Sequence, residues 1–223
     1  LSVGFGYGRS RLLRNLRAET GTASFIDISD AIGLVEHTVS LGIVFLDYDR
    51  DAKLDMLVTN APAPYLADYP QPTPFSVFQL PAAEYPGDRR MLHFMHDGWH
   101  DSNNGGRNSL YHGLGHGAFE RVDAAAFGMP ETHWTVSANS GDLNRDGWTD
   151  LYLASDFGRD DLYLNRAGRG VERIEGRWFG EVGKDTYKGM NSTFADFDRN
   201  GWLDVYVSNN HHALQSEGSL LWM

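Results

Sequence analysis

The loop from Gly141 to Asp150, which reads G-D-L-N-R-D-G-W-T-D, constrains the fold of this chain more than any other stretch. Oxygen-bearing side chains occupy positions 1, 3, 5 and 9 of the loop, and a glycine occupies position 6. Such a loop wraps a hard cation such as Ca²⁺, which takes about six to eight oxygen ligands. The predicted ligands are the side chains of Asp142, Asn144, Asp146 and Asp150 and the backbone carbonyl of Trp148 at position 7.

The same pattern occurs twice more, so we number the three copies loop one, loop two and loop three in chain order. The predicted ligands of loop one are Asp47, Asp49, Asp51, the carbonyl of Lys53, and Asp55. The predicted ligands of loop three are Asp196, Asp198, Asn200, the carbonyl of Trp202, and Asp204. Loop one has Ala52 at position 6, where an alanine is strained if φ is positive. We therefore expect two or three bound Ca²⁺ ions, with the occupancy of loop one open.

The residues around these loops predict β-hairpins rather than EF-hands. An EF-hand places a glutamate at position 12, whereas this chain has Val58, Leu153 and Val207 there. The flanking residues alternate with a period of two, as in Val205-Tyr206-Val207, which is typical of a strand. A metal-free turn rich in Asp, Asn and Gly is the alternative. Clustered carboxylates repel one another without a cation, so the metal interpretation is favoured.

Composition excludes several classes of protein. The 223 residues carry 30 acidic and 19 basic side chains, a formal charge of −11, which does not favour a nucleic acid partner. The chain has no cysteine, so disulfides and thiolate metal sites are excluded. No apolar run reaches the length of a transmembrane segment.

A second signature repeats along the chain, out of phase with the loops. Its copies are G-R-S-R-L-L-R-N from Gly8, G-R-N-S-L-Y-H-G from Gly106 and G-R-D-D-L-Y-L-N from Gly158, with a weaker fourth copy, G-S-L-L-W-M, that contains Leu220. The two signatures agree on a unit of roughly 55 residues, one copy of which is enlarged by roughly 40. Each unit contains four short strand patterns, the content of one propeller blade. The predicted fold is an all-β propeller of four-stranded antiparallel blades with calcium-binding hairpin loops.

The repeats predict one propeller segment of about three blades. We assign 1–36 to the second half of a blade, 37–132 to a blade with an insertion at 58–105, 133–186 to a blade, and 187–223 to the first part of another. Since propellers close with about four to eight blades, we expect a partial propeller whose gene encodes further repeats.

The insertion at 58–105 holds seven of the eight prolines and several aromatic residues. We predict an ordered excursion that contacts another chain, with a plain surface insertion as the alternative. It ends in M-L-H-F-M-H-D-G-W-H, where His93, His96 and His100 are candidate ligands of a transition metal or members of a simple histidine cluster. Four further histidines are interpreted as polar residues near strand ends without a role: His112, His116, His211 and His212.

These patterns resemble the FG-GAP/VCBS repeat family, the integrin-α-like β-propellers, over nearly the whole chain outside 58–105. The loop at Asp142–Gly147 runs on through Asp150-Leu151-Tyr152-Leu153 to the L-Y-L-N signature, and Phe194–Gly201 begins a second copy of the loop. The pattern is most similar to bacterial proteins related to cartilage acidic protein, which carry an ASPIC/UnbV-type tail. The resemblance implies a secreted, cell-surface or periplasmic protein that uses its propeller as a binding scaffold.

The sequence favours a non-enzymatic interaction module over an enzyme. It contains neither a G-x-S-x-G elbow nor an H-E-x-x-H motif, and its acids cluster in loops where a cation would bind them. The predicted partners are other protein chains, the rest of a larger propeller, or a glycan. The alternatives are a propeller-fold enzyme acting on polysaccharide and a metal or redox accessory subunit that uses the histidines of the insertion.

Overall fold

The computed structural model describes residues 10–34, 39–61, 106–174, 189–209, 211–212, 215–216 and 218–223. These residues form strands and two four-residue helices, α1 (Arg17–Thr20) and α2 (Ala124–Phe127). The strands are β1 (Leu13–Asn15), β2 (Phe25–Asp27), β3 (Val39–Leu46), β4 (Asp55–Ala61), β5 (Ser109–Gly115), β6 (Ala118–Val122), β7 (Thr135–Gly141), β8 (Asp150–Ser155), β9 (Asp161–Asn165), β10 (Val171–Ile174), β11 (Gly189–Ala195), β12 (Asp204–Asn209), β13 (His211–His212), β14 (Gln215–Ser216) and β15 (Leu220–Trp222). The predicted all-β class is confirmed.

Each larger sheet is an antiparallel meander in chain order. Sheet one contains β3 to β6, and sheet two contains β7 to β10. Sheet three contains β11, β12 and β15, while β1 pairs with β2 and β13 pairs with β14. In all three sheets the first two strands are joined by one of the three loops. These are the blades of a partial β-propeller, as the repeat pattern predicts.

The first strands of the three sheets lie side by side and set the spacing of the blades. Strand β7 contacts both β3 and β11. At Gly42, in β3, a Cβ atom would lie 2.7 Å from the carbonyl oxygen of Val136 and 2.8 Å from the hydroxyl of Thr59. Sheets one and two therefore approach each other so closely here that only a glycine fits.

We expect Gly42→Ala to destabilise the chain by about 1–3 kcal/mol, because the added methyl group must push two packed strands apart. Gly218→Ala is the matched control, since a Cβ atom at Gly218 would contact nothing within 4 Å. Urea unfolding monitored by circular dichroism measures both changes. Equal stability of the two variants would show that the sheets separate without cost.

The hydrophobic core lies between successive sheets. Leu57 and Leu110 of sheet one face Leu151, Leu153 and Tyr163 of sheet two in one cluster. A second interface repeats this arrangement between sheets two and three. Strands β4 and β8 are buried at every residue, because each lies in a sheet that is covered on both faces.

The structure corrects two assignments made from the sequence. The insertion was predicted to begin at Val58, but Val58–Ala61 are the last four residues of β4 and are buried. The sequence signal failed because Thr59 and Asn60 are polar although they lie in the core. His211 and His212 follow the third hairpin as predicted, but they form the short strand β13 and not a turn. The remaining insertion, with His93, His96 and His100, lies outside the described residues.

Candidate cation loops

The three loops share one hydrogen-bonding pattern, which begins at the aspartate of position 1. In loop two, the amides of Asp146 and Gly147 donate to the two carboxylate oxygens of Asp142, at 3.0 and 2.8 Å. The corresponding bonds to Asp196 in loop three are both 2.9 Å, and those to Asp47 in loop one are 3.1 and 3.0 Å. The position-1 carboxylate therefore folds the loop around itself.

The aspartate at position 9 is buried and ties the loop to its sheet. The carboxylate of Asp150 accepts hydrogen bonds from the amides of Leu143 and Asn165, both at 2.9 Å. Asp55 of loop one likewise accepts from the amides of Tyr48 and Gly113, at 2.9 and 2.8 Å. Burial raises the pKa of both carboxyl groups, against these hydrogen bonds.

The carboxylates of loops one and three converge as oxygen ligands would. Ligand atoms of Asp47, Asp49 and Asp51 lie within 4.8 Å of one another. The same holds for Asp196, Asp198 and Asp204. All of the donors are carboxylate or amide oxygens, apart from the backbone carbonyl at position 7, and this is the donor chemistry that suits Ca²⁺. The residues present therefore fit a hard divalent cation.

Backbone conformation explains why loop one differs from the other two. Position 6 has a positive φ in every loop, 64° at Ala52, 86° at Gly147 and 89° at Gly201. The alanine therefore takes a conformation that L-residues adopt only at a cost of roughly 1 kcal/mol or more. Position 4 is an arginine with φ near 60° in all three loops: Arg50, Arg145 and Arg199.

Basic side chains also enter loop one. The ammonium of Lys53 lies 2.5 Å from a carboxylate oxygen of Asp51, and this hydrogen bond lowers the pKa of Asp51. Nδ1 of His112 lies 3.1 Å from Asp55 and 3.5 Å from Asp49. The placement of His112 in a turn was wrong, because it lies within β5, and its ring faces the loop. Its periodicity in the strand was the signal that could have placed it.

Adjacent loops contact each other across the sheets. The guanidinium of Arg50 lies over the Trp148 ring at 5.3 Å, and that of Arg145 lies over the Trp202 ring at 5.1 Å. The side-chain amide of Asn165 donates to the backbone carbonyl of Tyr48 in loop one at 2.8 Å. Sequence reasoning missed these contacts, although arginine at position 4 in every loop and tryptophan at position 7 in two of them were visible signals.

An ionic cluster surrounds the buried Asp161 of sheet two, apart from the loops. Oδ1 of Asp161 lies 3.6 Å from the guanidinium of Arg173, which also binds Glu131 at 2.8 Å. Nε2 of His133 lies 3.8 Å from Oδ2 of Asp161. Burial raises the pKa of Asp161 from 3.8 to about 6, although the neighbouring His133 and Arg173 oppose that shift.

This raised pKa predicts a specific pH dependence of stability. Between pH 4 and 6 the folded state binds the Asp161 proton more tightly than the unfolded state, so the group's contribution to stability falls as pH rises through this window. We expect Asp161→Asn to remove this pH dependence. The fall in unfolding free energy between pH 4 and pH 6 should then be smaller in the variant than in the unmodified chain by on the order of 2–3 kcal/mol. Urea unfolding of both proteins at several pH values, in EDTA throughout, measures it. Parallel plots of unfolding free energy against pH for the two proteins would contradict this prediction.

The geometry defines a class of protein, a β-propeller segment whose blades each carry an oxygen-rich hairpin loop. The family model described as FG-GAP-like repeat matches residues 94–153 and 142–207, which together span just over half of the chain. The chain belongs to the FG-GAP repeat family. A comparison with curated proteins gives no match.

Proposed function

We propose that this chain is a calcium-stabilised propeller segment that acts as an interaction scaffold outside the cytoplasm, at the cell surface or in the periplasm. The observation that carries the proposal is the hydrogen-bonding pattern shared by the three loops, in which the position-1 aspartate accepts from two loop amides. In loops one and three the carboxylates also converge. FG-GAP repeats are generally interaction modules rather than enzymes. Among the described residues no helix is long and apolar enough to cross a membrane.

Bound Ca²⁺ would neutralise the carboxylates that the loop brings together. In loop two the side chains of Asp142, Asn144, Asp146 and Asp150 would hold it, with the carbonyl of Trp148. In loop three the equivalent set is Asp196, Asp198, Asn200, Trp202 through its carbonyl, and Asp204. The loop backbone also carries the arginine and tryptophan that contact the adjacent loop, so the same cations support the interfaces between blades.

The proposed scaffold binds another protein chain or a glycan, and the likeness to integrin-α propellers and to relatives of cartilage acidic protein is part of this proposal. Extracellular calcium, at near-millimolar concentration, suits loops of this type. A glycan array and a partner-binding assay, each run in Ca²⁺ and in EDTA, distinguish the two ligand classes. Binding that is indifferent to EDTA would contradict a role for calcium in the scaffold.

Isothermal titration calorimetry of the chelator-treated chain tests the metal sites. We expect Asp142→Ala and Asp196→Ala each to remove one Ca²⁺ ion and to leave the other site intact. Glu19→Gln is the control, since Glu19 lies in α1 and bonds to Arg14, away from every loop. Unchanged stoichiometry in both loop variants would overturn the assignment of these residues.

We expect Ala52→Gly to tighten Ca²⁺ binding at loop one about fivefold or more, because a glycine adopts φ near 64° without the cost of roughly 1 kcal/mol that alanine bears. The measurement is calorimetry on the Asp142→Ala/Asp196→Ala background, in which loop one is the remaining loop. The matched control is Ala167→Gly, since Ala167 also has a positive φ of 53° but lies outside the loops. Equal affinity before and after Ala52→Gly would show that backbone strain does not limit loop one.

A further inference from the structure

Loop three differs from the other two loops at position 5, where it carries an asparagine. The residue is Asn200, whereas the equivalent residues are Asp51 in loop one and Asp146 in loop two. Gly201 follows Asn200, and both residues are exposed. Because a glycine has no Cβ atom, its backbone nitrogen can approach the preceding side chain closely. Among the residues that the structure describes, Asn200 is the one asparagine that precedes a glycine.

The backbone nitrogen of Gly201 lies beside a carboxylate. Its N–H donates to Oδ2 of Asp196 at 2.9 Å, while the N–H of Asn200 donates to Oδ1 of the same carboxylate at 2.9 Å. A carboxylate at this distance from an N–H group is placed to accept its proton as a general base. Asp196 therefore supplies a base for a reaction in which the Gly201 nitrogen is the nucleophile.

Both ends of the Asn200 side-chain amide are held in place. Its Oδ1 accepts a hydrogen bond from the backbone amide of Trp202 at 2.8 Å, and its Nδ2 donates to Oδ2 of Asp198 at 3.0 Å. The bond to Trp202 closes a ring of atoms that includes the Gly201 nitrogen, and so it keeps Cγ of Asn200 on the side of that nitrogen. The Trp202 N–H also stabilises the negative charge that would develop on Oδ1 during an attack on Cγ.

Loop two has a similar hydrogen bond but a different sequence around it. Oδ1 of Asn144 accepts from the amide of Asp146 at 3.1 Å, but the residue after Asn144 is Arg145. The Cβ atom of Arg145 crowds the nitrogen that would have to attack. Position 5 of loop two is already a carboxylate, which has no ammonia to lose. Of the three loops, loop three is thus the one that combines an accessible nitrogen, a base and a side-chain amide.

We propose that loop three deamidates its own Asn200 whenever no cation is bound. The Gly201 nitrogen bonds to Cγ of Asn200, and its proton passes to the Asp196 carboxylate. That proton then moves through water to Nδ2, the bond between Cγ and Nδ2 breaks, and ammonia leaves a cyclic succinimide. Water opens this ring at Cγ to give an aspartate, or at the backbone carbonyl carbon to give an isoaspartate. The net reaction consumes a water molecule and releases ammonia, without an oxidant or a reductant.

The two products change calcium binding by loop three in opposite directions. The aspartate product carries a carboxylate at position 5, as loops one and two do, and a larger number of charged ligands tightens Ca²⁺ binding. The isoaspartate product has an additional methylene group in its backbone, which shifts positions 7 and 9 away from positions 1 and 3. This consequence rests on the proposed calcium function, whereas the deamidation itself does not.

Calcium should protect Asn200 from this reaction, because a bound ion would take both Oδ1 of Asn200 and the Asp196 carboxylate as ligands. When the Ca²⁺ concentration is about 100 times the Kd of loop three, about 1% of the loops are free of the ion. We therefore expect Asn200 to deamidate about 100-fold more slowly in this buffer than in EDTA.

Peptide mapping by mass spectrometry, after incubation of the full chain at neutral pH in EDTA or in Ca²⁺, measures the deamidation of each asparagine. We expect Asp196→Asn to slow the deamidation of Asn200 in EDTA by about tenfold or more, because an amide cannot accept the proton. In urea, where the loop is unfolded, the same variant should deamidate Asn200 at the rate of the unmodified chain.

Two controls make the effect of Asp196→Asn specific. Asn104 also precedes a glycine, and its deamidation in EDTA should be equally fast in the variant and in the unmodified chain. Glu19→Gln removes one carboxylate away from the loops and should leave the rate at Asn200 unchanged. If Asn200 stays an amide in EDTA while Asn104 is deamidated, or if Asp196→Asn has no effect in the folded chain, the proposal is overturned.

Calorimetry separates a failure of this proposal from a failure of the calcium function. Asn200→Asp mimics the aspartate product, and we expect it to bind Ca²⁺ more tightly at loop three than the unmodified chain does. Equal affinity would overturn the predicted gain of a ligand. A chain that deamidates Asn200 in EDTA but binds no Ca²⁺ supports the deamidation and refutes the calcium function.

Discussion

We expect chelation of calcium to lower the melting temperature of this chain by about 10–20 °C. A ligand at 100 times its Kd stabilises the folded state by about 2.7 kcal/mol, so two sites contribute about 5 kcal/mol. In a chain of this size, 1 kcal/mol corresponds to about 2–4 °C. Differential scanning calorimetry in Ca²⁺ and in EDTA measures the shift.

Two controls make this result specific to the loops. Restoring Ca²⁺ should recover the original melting temperature, whereas the same concentration of Mg²⁺ should not, because Mg²⁺ requires a smaller and more regular octahedral site. The Asp142→Ala/Asp196→Ala variant should melt at the same temperature with and without EDTA, unless loop one contributes. An identical melting curve of the unmodified chain in Ca²⁺ and EDTA would refute the stabilising role.

The second large effect is expected at Asp150. Replacing it by alanine removes the acceptor of the Leu143 and Asn165 amides, each of which costs about 1–3 kcal/mol when it is buried without a partner. We therefore expect Asp150→Ala to destabilise the chain by about 2–5 kcal/mol even in EDTA, where cation binding makes no difference. Urea unfolding in EDTA measures this loss.

Asp146→Ala is the matched control for this experiment. Asp146 is also a predicted cation ligand, but it is exposed and accepts a bond from the amide of Trp148 at the surface. In EDTA its replacement should cost less than about 1 kcal/mol. Similar losses for both variants would show that the buried hydrogen bonds of Asp150 do not hold the loop to the sheet.

Local patterns in the sequence predicted the all-β fold and the four-stranded blades. They suffice because a hairpin loop and its flanking strands are encoded within about 20 consecutive residues. The alternation around Tyr206 is visible in the structure, since β12 is covered on one face only. The same pattern is hidden in β8, where the next sheet buries every residue. Burial on the second face depends on a neighbour that local sequence does not reveal.

Local sequence patterns could not predict the contacts between sheets. Asn165 and Tyr48 are 117 residues apart, and nothing near either residue indicates the bond that joins them. His112 was misplaced for the same reason, because its partners Asp49 and Asp55 belong to another strand and loop. The predicted ligands of each loop could be named because they lie on one short segment. Whether they bind calcium stays a prediction.

The polar groups between the blades favour the correct order of blades in the propeller. Repeats with similar apolar faces can pair with the wrong neighbour during folding. Asn60 accepts a hydrogen bond from Ser40 and binds Asn108, whose amide donates to Thr135 of sheet two at 3.2 Å.

At the next interface, Asn139 instead donates to Ser192 of sheet three, and Ser137 donates to Asn191. A blade placed beside the wrong neighbour would leave the buried Asn108 and the partly buried Asn139 without these partners, whereas the exposed Ser137 could bond to water. Because the polar contacts differ between the two interfaces, each blade is most stable beside its correct neighbour. This difference disfavours the exchange of blades within one chain or between two chains that fold together.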